Sequence, residues 1–314
     1  TTISSSVNGI TSNTISVFVE DETDITNLAD TFAEDYLQYL PTNGSIDSYD
    51  PKAFSLFVGL VVDRAGYPLP DVNISFHDQP EFGSVLTDVN GRFILAGEAG
   101  TRKLVYAKDS HLTVHRSIIS ASNAWASLED VTLLSVDTLK TAIDLSSGTP
   151  QIHQSSLISD EFGQRSTTLV FNGVNSATVT GKDGSTRQLT DFFVRATEYE
   201  TPSSMPALLP QETAFTYCSE LDIPGVGDEE TVLFDNPVDI YVDNFLNFAV
   251  GEIVPMGYYD RVAGEWKAED NGVVVKLLDS NQDGFIDGLD YTGDDVADDI
   301  DGDVAQLRDK GYQF

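Results

Sequence analysis

The chain is short of cysteine, of positive charge and of long apolar runs, and each shortage removes a class of protein. A single cysteine, Cys218, in 314 residues excludes an internal disulfide framework. Only 17 Lys and Arg stand against 51 Asp and Glu, a formal net charge of −34. That field repels phosphate backbones and anionic lipid, which argues against nucleic acid and membrane surfaces as partners. No stretch reaches the roughly 18 apolar residues of a bilayer-crossing helix. The sequence also lacks H-E-x-x-H, G-x-S-x-G, Walker-type and G-x-G-x-x-G patterns. Carboxylates are so abundant that no pair of them singles out a glycosidase site. Nothing at the start reads as a secretory leader, and Thr1 reads as a mature beginning.

What is present suffices for packed cores, since 40% of residues are hydrophobic. Residues 1–51 read as an extension. In it Ile15, Val17 and Val19 alternate with Ser16, Phe18 and Glu20, which predicts a half-buried strand. Thr23 or Asp24 then caps a predicted helix carrying Ile25, Leu28, Phe32, Tyr36 and Leu40 on one stripe, and Pro41 stops it. Residues 52–136 change to all-β grammar. FSLFVGLVVD, VNISF, GSVLTD, RFIL and LVYA are separated by turn signals roughly every ten residues, as in a sandwich. Asn90-Gly91 predicts a two-residue hairpin, and Thr113–Ile119 and Asp130–Val136 read as closing strands.

The stretch with the most chemistry lies in the third segment, residues 137–314. An apolar run, Val273–Leu278, feeds Asp279-Ser280-Asn281-Gln282-Asp283-Gly284-Phe285-Ile286-Asp287-Gly288-Leu289-Asp290. Oxygen side chains fall at loop positions 1, 3, 5, 9 and 12, glycine sits at the sharp turn of position 6, and Phe285 at position 7 offers its carbonyl. That is calcium-loop grammar, because Ca²⁺ takes six to eight hard oxygens and this pitch wraps them around one point. The expected ligands are Asp279, Asn281, Asp283, Phe285 (carbonyl), Asp287 and Asp290, with Ile286 pinning the loop to a core. Asp290 replaces the bidentate glutamate of an EF-hand and the preceding run looks like a strand. The expected affinity is therefore of extracellular type, on the order of 10⁻⁴ M. A second, weaker loop starts at Asp290 and uses Asp294, Asp298 and Asp301, with Thr292 at position 3 and Asp295 where glycine is preferred.

FVGLVVDRAGYPLPDVNISFHDQPEFGSVLTDVNGRFILAGEAGTRKLVYAKDSHLTVHRSI resembles a transthyretin-like, carboxypeptidase-regulatory-type sandwich. More narrowly, it resembles the copy that precedes the shell in YD-repeat (teneurin-like, Rhs-type) proteins. Downstream, TAIDLSSGTPQIHQSSLISDEFGQRSTTLVFNG, FFVRATEYE, MPALLPQETAFTY, IYVDNFLNFAVGEIVPMGYYDRVAGEW and DNGVVVKLLDSNQDGFIDGLD resemble, block after block, the fibronectin-like plug of those proteins. The resemblance spans roughly residues 54–303. It implies a mainly β chain of two successive sandwiches, transthyretin-like and then plug, behind a strand-helix extension. In that family the plug seals one end of a β-spiral shell that can enclose a toxic cargo, and the calcium-type loop belongs to the plug. YD repeats do not follow here, and the sequence closes at Gly311-Tyr312-Gln313-Phe314, as a fragment or as a plug fold reused.

The expectation is a non-catalytic extracellular structural module stiffened by Ca²⁺, its partners other protein chains: a YD-repeat shell or identical filament subunits. A filament or surface-layer subunit joined by strand exchange, and an accessory module of a secreted polysaccharide-active enzyme, are the alternatives. His111 and His115 read as exposed strand residues, Cys218 as a buried small hydrophobe, and Trp125, Trp266, Tyr258 and Tyr259 as core or corner aromatics.

Overall fold

The computed structural model describes residues 2–3, 6–7, 10–11, 15–16, 36–45, 53–171, 173–210, 215–227, 230–282 and 286–298. Near the start, β1 (Thr2–Ile3) pairs with β4 (Ile15–Ser16), and β2 (Ser6–Val7) pairs with β3 (Ile10–Thr11). The predicted strand is thus present at Ile15–Ser16, while Val17 and Val19 lie outside the described residues. Of the predicted helix, the turn Tyr36–Tyr39 is described, and it is 3-10 rather than α. Ile25, Leu28 and Phe32 lie outside.

The first sandwich contains β5 (Phe54–Val62), β6 (Asn73–Phe76), β7 (Ser84–Leu86), β8 (Arg92–Glu98), β9 (Gly100–Ala107), β10 (Val114–Ser120), β11 (Ala124–Ser127) and β12 (Val131–Thr132). One sheet runs β10-β9-β6-β7. The other is built on β5, antiparallel to β8 and parallel to β11 and β12. Parallel partners explain why FSLFVGLVV is apolar almost throughout: such strands are covered on both faces and lose the polar alternation of a half-solvated one. Between the sheets lie Phe57, Val61, Ile74, Leu95, Leu104 and Tyr106, all without exposed surface. Phe57 meets Phe76 edge to face at 5.2 Å. Burying each large side chain stabilises by about 1.5–3 kcal/mol, so this cluster dominates the energetics here.

The Asn90-Gly91 hairpin is a correction. β7 and β8 belong to different sheets, so the turn crosses the sandwich instead of joining neighbours. Asp88 organises it: its Oδ1 accepts from the Asn90 and Arg92 amides at 2.8 and 2.9 Å, and its own amide donates to Arg92 O. Asp63 builds the same D-x-x-G turn at Gly66, accepting from Ala65 and Tyr67 N–H. The shared physical need is an Asp side chain standing in for a backbone acceptor and a glycine at positive φ. At Gly91 φ is 71°, and a Cβ would lie 2.3 Å from Val61 O. Gly91→Ala is therefore expected to lower stability by about 2–3 kcal/mol in urea unfolding. A loss below half a kcal/mol would show that the turn relaxes freely.

The second sandwich contains β13 (Thr141–Asp144), β14 (Gln151–Gln154), β15 (Ile158–Asp160), β16 (Gly163–Arg165), β17 (Thr167–Phe171), β18 (Ala177–Thr180), β19 (Thr186–Leu189), β20 (Asp191–Glu198), β21 (Ser219–Asp222), β22 (Thr231–Phe234) and β23 (Asp239–Val242). Its sheets run β13-β20-β21, β14-β17-β23 and β19-β18-β22, around Ile143, Leu169, Phe171, Val179, Phe192 and Val194. β24 (Ile253–Asp260) and β25 (Glu265–Val273) form a long hairpin, and β26 (Lys276–Leu278) pairs with β27 (Gly288–Asp290). The chain is mainly β, as the sequence pattern indicates.

Candidate functional site

The aspartate-rich loop leaves β26 at Leu278 and returns at Gly288, so strands and not helices flank it. Its anchor is apolar: Ile286 is 1% exposed and packs with Leu289, Ile152 and Val170. The Asp287 carboxylate closes the loop. Its Oδ2 accepts from the Ser280 and Asn281 amides at 2.9 and 3.3 Å, while Asp287 N donates to Leu278 O. Asp279 and Asn281 stand in the same turn, half-buried and exposed respectively. Asp283 and Phe285 lie outside the described residues, as does Asp301.

The second loop repeats this construction eleven residues later (278 to 289, 287 to 298). Asp298 N donates to Leu289 O, and Asp298 Oδ2 accepts from Tyr291 N at 2.8 Å. Gln282 and Gly293, equivalent under that offset, both take positive φ, 61° and 80°. Asp295 also does, at 64°, in the position where glycine is preferred. Aspartate tolerates that region better than most residues. In the sequence the repeat is a Leu-Asp pair with an aspartate eight residues further on, Asp279 to Asp287 and Asp290 to Asp298.

Asp290 stands at the junction of the two loops, at the end of β27. Its carboxylate has no exposed surface and turns into the loop that follows. Oδ1 accepts from Thr292 N at 2.9 Å and Gly293 N at 2.6 Å, and Oδ2 from Asp295 N at 2.9 Å. Burial works to raise its pKa, but the amides of Gly293, Asp295, Thr292 and Asp294 together hold it below the usual value, so it is an anion. Asp294 and Asp298 are exposed, and Asp294 Oδ1 accepts from Val296 N. Among the described residues no three His, Cys, Asp or Glu converge tightly enough to hold a metal. The donors that are described are hard oxygens, and a carboxylate offers about four lone-pair sites, so Asp290 keeps acceptor capacity beyond its amides. This set suits a hard cation such as Ca²⁺.

A second constellation, not anticipated from sequence, joins the two sandwiches. His115, expected to be exposed, is 4% exposed. Its Nδ1 lies 2.8 Å from Tyr259 Oη, its amide donates to Pro206 O, and its ring meets that of His77 at 5.1 Å. Arg116, also buried, donates to Ser203 O at 2.5 Å and Met205 O at 3.1 Å. Arg261 donates to Thr113 O, Tyr199 Oη and Glu220, and its carbonyl lies 2.8 Å from His77 Nε2. Lys103 donates to Gly264 O, and Arg64 pairs with Glu200 at 2.8 Å. Beneath them Leu112 and Leu134 pack on Tyr199 and Met205, with Cys218 and Trp266 at the margin. Burial pushes the Cys218 thiol up to about 12. A cavity of about 220 Å³ opens at this seam between Lys103, His115, Tyr259 and Trp266. The paired aromatics there are walls of the junction, while Trp125 and Tyr258 are about half exposed.

Residues 49–133 match the family model of the teneurin TTR-like domain, which covers the first sandwich. No curated protein matches the chain. Among solved structures, 3-chlorocatechol 1,2-dioxygenase from Rhodococcus opacus 1CP is similar at 17% identity, covering 30% of this chain and 64% of its own, with a TM-score of 0.24. The Bacillus anthracis TIE protein shows 11% identity, coverages of 45% and 41%, and a TM-score of 0.24. A streptococcal ancillary pilin shows 9% identity, coverages of 56% and 60%, and a TM-score of 0.23. The chain thus spans less than two thirds of each of these proteins. Among the described residues no helix is long and apolar enough to cross a membrane.

Proposed function

We propose that this chain is a non-catalytic, extracellular structural module in which a transthyretin-like sandwich and a plug-like sandwich are held as one stiff piece and Ca²⁺ stiffens the acidic end. The observation that carries the reading is the seam. Its cations, Arg116, Arg261 and Lys103, are spent on backbone carbonyls of the facing segment. Each such charge-assisted bond contributes roughly 1.5–3 kcal/mol and leaves little room for hinge motion. Side chains committed in this way are unavailable as acids, bases or substrate clamps. The partner is another protein surface. The β24–β25 hairpin leaves Ile253, Met256, Tyr258 and Val273 between 40 and 58% exposed, apolar area of the kind that interfaces cover.

Calcium then acts by linkage. In this reading Asp279, Asn281, Asp283, the Phe285 carbonyl and Asp287 would ligate a cation of the first loop, and Asp290, Asp294, Asp298 and Asp301 one of the second, the loop pitch of the sequence being what supports it. A cation that binds the folded loop and not the unfolded chain stabilises by about 2.7 kcal/mol at a hundred times its Kd. In a chain of this size that raises Tm by roughly 4 °C. Scanning calorimetry in 10 mM CaCl₂ and in EDTA is expected to show that shift, and Asp283→Ala to abolish the response whatever it does to the basal melt. Superimposable melts with and without calcium would remove the cation from the reading and leave the seam to stand by itself.

A further inference from the structure

The seam cavity of about 220 Å³ brings hydrogen-bond donors together with aromatic surface. β9 and β10 supply the donors. Register sets Ser117 directly beside Lys103, and His115 lies two residues along β10, so strand alternation puts all three on one face of the sheet. Each keeps unused capacity. Lys103 gives one N–H to Gly264 O, which positions the ammonium without neutralising it. Among the described residues no carboxylate pairs with Lys103, although Glu265 lines the same cavity. Gly264 takes a φ of 67°, and a Cβ there would lie 2.2 Å from Lys103 Nζ, so glycine is what admits the ammonium. The Ser117 hydroxyl is exposed and has no protein partner among the described residues. Burial pushes Tyr259 up to about 12, so its hydroxyl is protonated and donates to His115 Nδ1. The His115 proton then sits on Nε2, which also has no protein partner among the described residues, although the residue is only 4% exposed. Burial first, and then repulsion from Arg261, His77, Lys103 and Arg116, keeps this ring neutral, so the local potential is positive within a chain of net charge −34.

We propose that the seam cavity binds a small organic monocarboxylate, its carboxylate taking hydrogen bonds from Lys103, Ser117 and His115 and its body lying against Trp266, Tyr259 and Leu208. A carboxylate accepts several donors at once, and one from an ammonium is of the stronger, charge-assisted kind. A single full positive charge, with Glu265 at the rim, suits one negative charge better than the two of a phosphate. The volume falls below the roughly 300–1,000 Å³ of sites for drug-sized molecules, which limits the body to about one ring. Lys103 serves as a fixed charge and does not swing to clamp a substrate. With donors on β9 and β10 and the rings on β24 and β25, the bound molecule ties the first sandwich to the long hairpin. The inference needs neither calcium nor a protein partner.

The chain has two tryptophans, so Trp125→Phe leaves Trp266 as the only indole reporter, at the cavity. Titrating that full-length protein with sodium benzoate at pH 7 and constant ionic strength is expected to change Trp266 emission saturably. The expected Kd is on the order of 1 mM, ordinary for nine heavy atoms. Benzyl alcohol carries the ring without the charge, and inorganic phosphate the charge without the ring. Each is expected to bind about tenfold more weakly or worse. Lys103→Met is expected to raise the benzoate Kd about tenfold and Ser117→Ala about threefold. No saturation by about twenty times the expected Kd would overturn the proposal. Benzyl alcohol or phosphate binding as tightly as benzoate would also overturn it, since the site would then read only the ring or only the charge. So would parent affinity in both variants, which would put benzoate elsewhere. Should Lys103→Met fail to fold, Ser117→Ala decides, because its exposed hydroxyl holds nothing in the free protein.

Discussion

Acidifying the protein from pH 7 to pH 4 is expected to cost it on the order of 3 kcal/mol through His115 alone. Burial first, then electrostatic repulsion from Arg261, His77, Lys103 and Arg116, lowers the His115 pKa to about 3. The unfolded imidazole titrates near its ordinary 6.5. Between those two values the unfolded chain binds a proton that the folded chain refuses. Stability is therefore complete above about pH 6.5 and is lost progressively as pH falls toward 3. His153 adds to the same slope. It has no exposed surface, its Nε2 accepts from Ala196 N at 3.1 Å, and so its Nδ1–H faces Thr141 Oγ1 at 3.0 Å. That pairing requires the neutral ring, and burial lowers its pKa although Asp137 and Asp222 push back. Urea midpoints at pH 7, 5.5 and 4 measure the slope. His115→Gln, which can still meet Tyr259, is expected to flatten it, and parallel curves for parent and variant would show that His115 is protonated without penalty.

The acidic loops shape the design of that experiment. Asp290, an anion held by the amides of the loop after it, also takes up a proton in acid, so calcium must be held constant and the His115→Gln difference, not the parent curve, carries the conclusion. The difference isolates one seam residue because the loops are unchanged between the two proteins.

How much of this was readable beforehand follows from the range of the interactions. Local chemistry was readable. The strand flank of the Asp279 loop and its inward Ile286 are set within twelve residues, and both are found: β26 pairs with β27 and Ile286 is buried. The β-rich class was readable too, because alternation and turn residues act over single strands. Asn90-Gly91 failed for a physical reason. The dipeptide specifies a tight turn, but whether the two strands it joins pair is decided by β5, about thirty residues upstream, which claims β8 for itself. β11 was missed because Ala124–Ser127 is short and its partner is parallel and remote. The seam was invisible. Nothing near His115 in sequence signals that Tyr259, 144 residues away, will bury it, and Arg116 looks like any surface arginine until Ser203 and Met205 present their carbonyls. The amides that hold Asp290, those of Thr292, Gly293 and Asp295, lie after it and not before, so the residues leading up to it did not signal them.

Replacing Arg165 is expected to produce the largest single loss in the molecule. Its side chain is 3% exposed and its Nη2 reaches Glu198 Oε1 at 2.5 Å and Asp160 Oδ2 at 2.8 Å, with the guanidinium 4.5 Å over the Phe245 ring. The two carboxylates feel it differently. Asp160, at the rim, is pulled down to about 2 by its hydrogen bonds to Arg165. Glu198, 6% exposed, is pushed up by burial even though Arg165 pulls the other way. Arg165→Leu therefore returns Asp160 to water at little cost but strands Glu198 in the interior, where an uncompensated charge costs about 3–5 kcal/mol or is neutralised by taking a proton. The same reasoning predicts the rescue. Arg165→Leu with Glu198→Leu removes both charges and is expected to recover all but about 1–2 kcal/mol, giving a coupling of at least about 2 kcal/mol in a double-mutant cycle. Additive single losses would mean that Glu198 finds solvent once Arg165 is gone, and that the pair aligns the β16 and β20 ends without being needed to neutralise them.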